Sequence, residues 1–303
     1  MRAPLRSTGP VSRLASVGVL ALATGCSANV AGAPAPENTD ADVVTPTSAI
    51  VVVERTASTD GDRAHAVARF VRARHGSVDD DALRMVGAFT EIPKLGSCER
   101  VSNDVQARRT AGLDLVDVGT VTLEAALQRS TLHTRRLPDV TDLVAGVLYA
   151  RGADDGALPT SVRYDLRVSG ASQSDVPAFA ASAQAPADLV DFKVAGQDAT
   201  TSAVVVLPQG AVDLAWEPGD DVRRRLRRLE RRRSGSRCND VAGPVRCAFA
   251  DVGRGAIPQG TFTEGQSGTF TFHRLRSEPF RSRGIDVGEI RFDFARAATF
   301  VQK

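Results

Sequence analysis

The chain has 303 residues, of which 42% are hydrophobic and 24% are charged, and this composition excludes a disordered chain and a multi-span membrane protein. Residues 1–25 have the features of a removable export signal, so residues 26–303 remain to fold as one large domain or two small ones. The formal charge of +2 falls to −1 without Arg2, Arg6 and Arg13 of the signal, so net charge indicates no class of partner.

The N-terminus predicts export and lipidation. The signal arginines precede the apolar run 14–23, which has half of the ~20 residues that a membrane-spanning helix needs. The following segment, Ala23-Thr24-Gly25-Cys26, resembles the lipobox of bacterial lipoproteins, although Leu is usual where Ala23 stands. The resemblance implies that Cys26 becomes the first residue and carries the lipid that anchors the protein to the membrane. The alternative is an ordinary secretory signal, with Cys26 discarded or left as a free thiol.

Residues 26–48 predict a flexible tether behind that anchor. Pro34, Pro36 and Pro46 lie among small and polar residues, and the first aromatic residue is Phe70, so no core can form here. Ser27 follows the anchor cysteine, and in Gram-negative lipoproteins a residue other than Asp at that place permits transfer to the outer membrane. We therefore expect an envelope location, at the outer membrane or cell surface if the source is Gram-negative.

Alternating patterns predict strands in the C-terminal half. Residues 162–168 alternate apolar and charged side chains, which is typical of a strand with one buried face. Residues 203–207 and 211–216 flank Pro208-Gln209-Gly210 and predict a hairpin, with Trp216 in the core. The spacing of Phe270 with Phe272, and of Ile290 with Phe292 and Phe294, predicts two further strands that face the same core.

The N-terminal half is read as four further strands, at 49–54, 63–72, 83–92 and 113–123, although 63–72 is also compatible with a helix. Short strands without alternating long helices favour an all-β fold, an antiparallel β-sandwich of Ig-like or jelly-roll-like type. The predicted ectodomain spans residues 49–303, as one sandwich or as two packed sandwiches divided near 150–160.

An arginine-rich segment interrupts the strand pattern. Asp220 and Asp221 precede residues 222–233, where Val222, Leu226 and Leu229 recur at helical spacing, so one short helix is predicted. A solvated helix surface is the favoured interpretation, and an anion-binding site for glycan, lipid headgroup or nucleic acid is the alternative. The absence of interleaved aromatic residues and of net basic charge argues against nucleic acid. The candidate anion-binding residues are Arg223, Arg224, Arg225, Arg227, Arg228, Arg231, Arg232 and Arg233.

Several stretches resemble the uncharacterised secreted lipoproteins that are abundant in myxobacteria and similar soil bacteria. The resemblance covers most of residues 26–303 and implies a β-sandwich on a lipid anchor, with no activity that can be assigned to residues here. The family pattern implies a strand at this place, and the arginine-rich segment, which is predicted as a helix, departs from it. The matching stretches are 96–98, 164–166 leading into 175–179, 214–216, and 246–249 before Ile257-Pro258.

Cysteine spacing predicts one disulfide in an oxidising compartment. Cys238 and Cys247 are the favoured pair because the Gly243-Pro244 turn between them can bring the two side chains together. Pairing of Cys98 with either of them, or no bond, is the alternative. No zinc spacing is present, so no metal site is predicted.

No catalytic motif is found around the four histidines, and His273 is expected to face solvent because it alternates with Phe272. The acidic clusters 60–62, 79–81 and 154–156 are interpreted as solvated turns, with calcium binding as the alternative.

The sequence therefore predicts a lipid-anchored envelope protein that acts as a non-catalytic binding or interaction module without a cofactor. Its loops would contact an extracellular ligand, such as a glycan, or a partner protein. The alternatives are an envelope hydrolase or its accessory module, and a purely structural surface lipoprotein.

Overall fold

The computed structural model describes residues 46–58, 61–89, 91–100, 112–140, 143–152, 156–202, 204–219, 227–232 and 245–303, with only the backbone at 139–140 and 227–232. The signal, Cys26 and most of the tether lie outside these residues. The protein is nearly all β, with 56% strand and 3% helix, which confirms the predicted all-β class.

One helix, α1 Asp80–Met85, and eighteen strands are found in the described residues. The first nine strands are β1 Thr47–Ala57, β2 Arg63–Ala73, β3 Cys98–Arg100, β4 Leu113–Leu115, β5 Val121–Ala125, β6 Gln128–Val140, β7 Val144–Ala150, β8 Arg163–Val168 and β9 Phe179–Gln184. The remaining nine are β10 Lys193–Val194, β11 Gln197–Asp198, β12 Val204–Leu207, β13 Val212–Ala215, β14 Arg227–Arg232, β15 Val245–Phe249, β16 Arg254–Ile257, β17 Ser267–Ser282 and β18 Ile285–Gln302.

The two C-terminal strands form the longest ladder of the protein. β17 and β18 pair antiparallel from Ser267 opposite Val301 to Ser282 opposite Ile285. On its other edge β18 pairs in parallel with two strands in succession. It pairs with β1 over residues 287–296 and with β12 over residues 299–302. One strand therefore joins the first and the middle parts of the chain.

The strands belong to two sheets. Thirteen follow the order β3-β15-β14-β17-β18-β1-β2-β4-β7-β6-β5-β8-β9, with β12 added beside β18, and β11-β10-β13-β16 form a smaller sheet. The large sheet is mixed, because β1 and β12 run parallel to β18, and β4 runs parallel to β7. It curls so that Phe179 of β9 and Phe280 of β17 lie 5.9 Å apart between ring centroids. The sandwich architecture stays a prediction.

Three apolar clusters fill the two faces of the large sheet. The first lies inside the curl and includes Phe70, Tyr149 and Phe292, and the second lies between the large and small sheets and includes Trp216 and Phe270. The third packs α1 against the outer face of β1 and β2. The expectation of one core shared by residues 270–272 and 290–294 is therefore wrong, because β18 leaves the first cluster and enters the second only near its C-terminal end.

Of two strand predictions in the N-terminal half, one is confirmed and the other is wrong. Residues 63–72 form β2, which excludes the helical alternative for this segment. Residues 83–92 were expected to form a strand, and this is wrong, because residues 83–85 belong to α1. Asp79 caps the helix by accepting the Ala82 N–H at 2.8 Å, so the acidic run 79–81 is a helix start.

Residues 162–168 and 203–216 were also predicted as strands. β8 confirms the first, with Tyr164, Leu166 and Val168 buried on one face. The predicted hairpin is wrong, because β12 pairs with β18 and β13 pairs with β10 and β16. The turn at 208–210 carries the chain from one sheet to the other, and both arms bury their apolar residues in the second cluster. The expectation that Trp216 lies in the core is confirmed.

The prediction of a helix in the arginine-rich segment is wrong for residues 227–232, which are the described part of that segment. Residues 227–232 form β14, which pairs with β15 on one edge and β17 on the other. Two neighbouring ladders satisfy the backbone hydrogen bonds of this segment, and this tertiary pairing outweighs its helical propensity. Arg227, Arg228, Arg231 and Arg232 belong to this strand, and Arg223, Arg224, Arg225 and Arg233 lie outside the described residues.

A buried arginine joins β17 to three loops. Arg274 is 4% exposed, and its Nη1 donates to the carbonyls of Ala187 at 3.0 Å and Asp188 at 2.8 Å. Its Nη2 donates to the carbonyl of Glu217 at 2.5 Å, and its Nε lies 3.2 Å from Asp251 Oδ2. The Asp251 carboxylate thus balances the buried positive charge of Arg274, and the three carbonyls accept hydrogen bonds from its two terminal nitrogens.

We predict that Arg274→Met lowers the free energy of unfolding by about 3–5 kcal/mol, because it leaves the Asp251 carboxylate buried without its cation and the three carbonyls without their donor. Urea unfolding monitored by circular dichroism measures the change. Arg163→Met is the control, because the Arg163–Asp165 ion pair is exposed and contributes about 0–1 kcal/mol. Equal losses in the two variants would contradict the proposed role of Arg274.

Candidate ligand-binding site

A polar pocket of about 330 Å³ lies beside the first cluster, and three segments form it. They are the end of β2, the β4–β5 connection and the β8–β9 connection. The lining residues are Arg72, Val116, Asp117, Ala171, Ser172, Gln173, Ser174 and Asp175. Its volume lies at the lower end of the ~300–1,000 Å³ that ligand sites span.

Arg72 is held in place from two sides. Its Nε and Nη2 donate to the hydroxyl of Thr47 at 3.1 and 2.8 Å, and Nη2 also donates to Asp175 Oδ1 at 2.6 Å. Thr47 is buried, and its N–H donates to Asp286 Oδ2 at 2.9 Å. The second terminal nitrogen of Arg72, Nη1, has no hydrogen-bond partner in the described part of the chain, so it is available to a ligand.

Asp117 is held by a buried tyrosine. The Tyr149 hydroxyl donates to Asp117 Oδ1 at 2.8 Å, and the Gly119 N–H donates to the same oxygen at 2.9 Å. The Tyr149 oxygen also accepts the Val118 N–H at 2.8 Å. Burial raises the pKa of Tyr149, which keeps the hydroxyl protonated so that it can donate. Asp117 is exposed, and its Oδ2 has no partner among the described residues.

Two glycines lock the connections that carry these side chains. Gly119 and Gly170 have positive φ, and a Cβ on Gly119 would lie 2.2 Å from the Gly170 carbonyl oxygen. The Thr120 N–H donates to Ser169 Oγ at 2.8 Å, and the Ser169 N–H donates to the Thr120 carbonyl at 3.0 Å. Only glycine permits this close approach, so the two sides of the pocket are fixed relative to each other.

The charge state of Asp175 is determined by its ion pair with Arg72. The hydrogen bond from Arg72 holds the pKa of Asp175 below its ordinary value, so this carboxyl is ionised near neutral pH. A general acid needs the opposite shift, towards the operating pH.

We predict that Arg72→Gln raises the pKa of Asp175 towards the ordinary value of about 4. Because the pKa of Asp175 is lower in the folded than in the unfolded chain, its ion pair contributes stability above pH ~4 and loses it as the pH falls through the folded-state value. Carboxyl-carbon NMR titration measures the pKa. Arg163→Gln, which removes a different exposed ion pair, should leave the Asp175 titration unchanged, and an unchanged titration in Arg72→Gln would contradict the assignment.

The histidines do not form a second site. His273 was expected to face solvent, and this is wrong: its side chain is 12% exposed and its Nδ1 lies 2.6 Å from Asp293 Oδ1. Its Nε2 is buried without a hydrogen-bond partner in the described residues, so a substrate cannot reach it. His65 lies 4.0 Å from Glu54 on the exposed surface of β1 and β2, and the four histidines lie on different elements. The described residues contain no cluster of metal-ligating side chains.

The disulfide joins Cys98 to Cys247, so the favoured pairing of Cys238 with Cys247 is wrong. β3 pairs antiparallel with β15 and places the two cysteines directly opposite each other, with 4.0 Å between the Cα atoms. The pair is 149 residues apart in sequence, so no local spacing reveals it. Cys238 lies outside the described residues, as does Cys26.

We predict that Cys98→Ser lowers the free energy of unfolding by about 2–5 kcal/mol, because the disulfide closes a long loop in the unfolded chain. Cys238→Ser should leave both the disulfide and the stability unchanged. Non-reducing peptide mapping and chemical unfolding measure the two quantities. The pairing would be refuted if Cys238→Ser destabilised the protein as much as Cys98→Ser.

The pocket residues were not identified from the sequence. Two signals could have suggested them: the polar stretch 171–175 and the Asp117–Gly119 connection, both short polar links between apolar strands. Among the described residues, no helix is long and apolar enough to cross a membrane. No protein-family model matches the chain, and no curated protein is similar to it in sequence.

Proposed function

We propose that the protein is a lipid-anchored envelope protein that binds a small polar ligand in this pocket without transforming it. The observation that carries the proposal is the rigid presentation of charged groups that retain free hydrogen-bonding atoms. Arg72 and Asp117 both line the pocket, each is held by hydrogen bonds to neighbouring residues, and each keeps one side-chain atom without a partner among the described residues. Binding sites gain affinity from such preorganisation, because little ordering is left for the ligand to impose.

The pocket favours this function over the two alternatives. A hydrolase that used Asp175 as a general acid would need a raised pKa, whereas the hydrogen bond from Arg72 lowers the pKa of Asp175. In a purely structural protein we expect such charged groups to lie in open solvent. Here two carboxylates and a guanidinium line a pocket instead. The polar lining, with Val116 and Ala171 as its only apolar members, favours a hydrophilic ligand.

The location remains part of the proposal. The export signal and the lipobox-like segment before Cys26 support anchoring by lipid, and the part of the predicted tether before β1, residues 27–46, would hold the folded domain away from the membrane surface. The family resemblance to secreted lipoproteins supports the same location.

The experiment has two readouts. Mass spectrometry of the chain recovered from membranes should show Cys26 as the first residue, carrying lipid. The full chain with Cys26→Ser is then examined by saturation-transfer NMR with a mixture of D-galactose, D-glucosamine, D-glucuronate and glycine. At least one probe should bind, and Gln173→Ala should weaken its binding several-fold by removing a pocket hydrogen bond.

Gln209→Ala is the matched control, because Gln209 is an exposed glutamine in the turn after β12, which does not line the pocket. Binding that both variants keep in full, or no binding of any probe, would refute the pocket as the ligand site. A mature N-terminus without lipidated Cys26 would refute the anchor.

A further inference from the structure

We propose that the ligand of the pocket is a neutral saccharide, bound through the hydroxyl groups of one sugar ring. This inference rests on the proposed binding function and adds the chemical class of the ligand. It follows from the free hydrogen-bonding atoms of the pocket, from its charge balance and from the absence of aromatic rings among the described residues that line it.

The free atoms of the pocket include both donors and acceptors. Arg72 Nη1 is a donor, and Asp117 Oδ2 is an acceptor. The side chains of Ser172 and Gln173 have no hydrogen-bond partner among the described residues, and each can both donate and accept. A hydroxyl group also does both, so neighbouring hydroxyls on a ring can donate to Asp117 and accept from Arg72. An ammonium group only donates and would leave Arg72 Nη1 unsatisfied.

The charge balance disfavours anions. The charge of Arg72 is already paired with that of Asp175 at 2.6 Å. Among the described residues, Asp117 accepts hydrogen bonds from the neutral Tyr149 hydroxyl and the Gly119 N–H and forms no ion pair. A phosphate, a sulfate or a carboxylate would therefore be repelled by Asp117 and would compete with Asp175 for Arg72.

Metal cations and apolar ligands fit poorly as well. The charge of Arg72 is paired with that of Asp175, and the described residues contain no group of three His, Cys, Asp or Glu side chains that could hold a metal ion. No aromatic ring lines the pocket, so a flat aromatic ligand would find no surface on which to stack. A neutral polyol satisfies the free atoms without requiring either a countercharge or apolar contact.

The expected affinity is low for a single sugar. About twelve heavy atoms at the ligand efficiency of ordinary ligands give a Kd on the order of 1 mM. Several copies anchored on one membrane would bind a repeating polysaccharide much more tightly, because each further contact is intramolecular.

The test uses the full chain with Cys26→Ser and measures binding of D-glucose, D-galactose and D-mannose against D-glucosamine, D-glucuronate and glycine by saturation-transfer NMR. We expect at least one neutral sugar to bind more tightly than every charged probe. Asp117→Asn should weaken that sugar about tenfold, because the free charged acceptor Oδ2 is replaced by the amide Nδ2, which can only donate. The Asn Oδ1 atom can still accept from Tyr149 and Gly119, which preserves the fold.

Asp213→Asn is the matched control, because Asp213 is an exposed carboxylate on β13, outside the pocket lining. Pocket-dependent binding of glucosamine, glucuronate or glycine in preference to the neutral sugars would overturn the saccharide assignment and leave the binding function standing. If no probe binds in a manner that depends on Gln173 or Asp117, both the assignment and the binding function are overturned.

Discussion

The continuous pairing of β18 is the constraint on which the rest of the structure depends. Its 18 residues are paired along one edge with β17, and along the other edge first with β1 and then with β12. The same strand supplies Phe292 and Phe294 to the first cluster and Phe300 to the second. The first cluster therefore joins residues 49–185 to residues 285–294, and the second joins residues 189–216 to residues 245–300. The fold is consequently rich in contacts distant in sequence, which is typical of slow-folding β proteins.

Arg274 makes polar contacts near the place where the β17–β18 ladder passes from the first apolar cluster to the second. Its partner Asp251 also accepts the Trp216 indole N–H at 2.9 Å and the Gly219 N–H at 3.3 Å. Together these bonds hold the loops at residues 187–188, 216–219 and 251 against β17. Because the charges are enclosed and their partners are specific, a shifted register of β17 would leave several polar groups unsatisfied. The arrangement thus favours one register over its neighbours.

The sequence predicted the local features of this fold better than its long-range ones. The alternation in residues 162–168 identified β8 because one face of that strand is buried and the other is exposed. The register of β14 depends on β15 and β17, and the disulfide depends on the pairing of β3 with β15, so neither could be predicted from the spacing of residues within a segment. The same reason explains the missed pocket. Arg72, Asp117 and Asp175 come from three separated segments, and only the curl of the sheet brings them together.

The bond between Cys98 and Cys247 also determines how the chain responds to a cut. It encloses the segments of both connections that carry Asp117 and Asp175, whereas the N-terminus and the β17–β18 pair lie outside the closed loop. A single peptide-bond cleavage anywhere between the two cysteines therefore leaves one covalently connected molecule. After one such cleavage, the C-terminal part would stay attached to the N-terminal part until the disulfide was reduced.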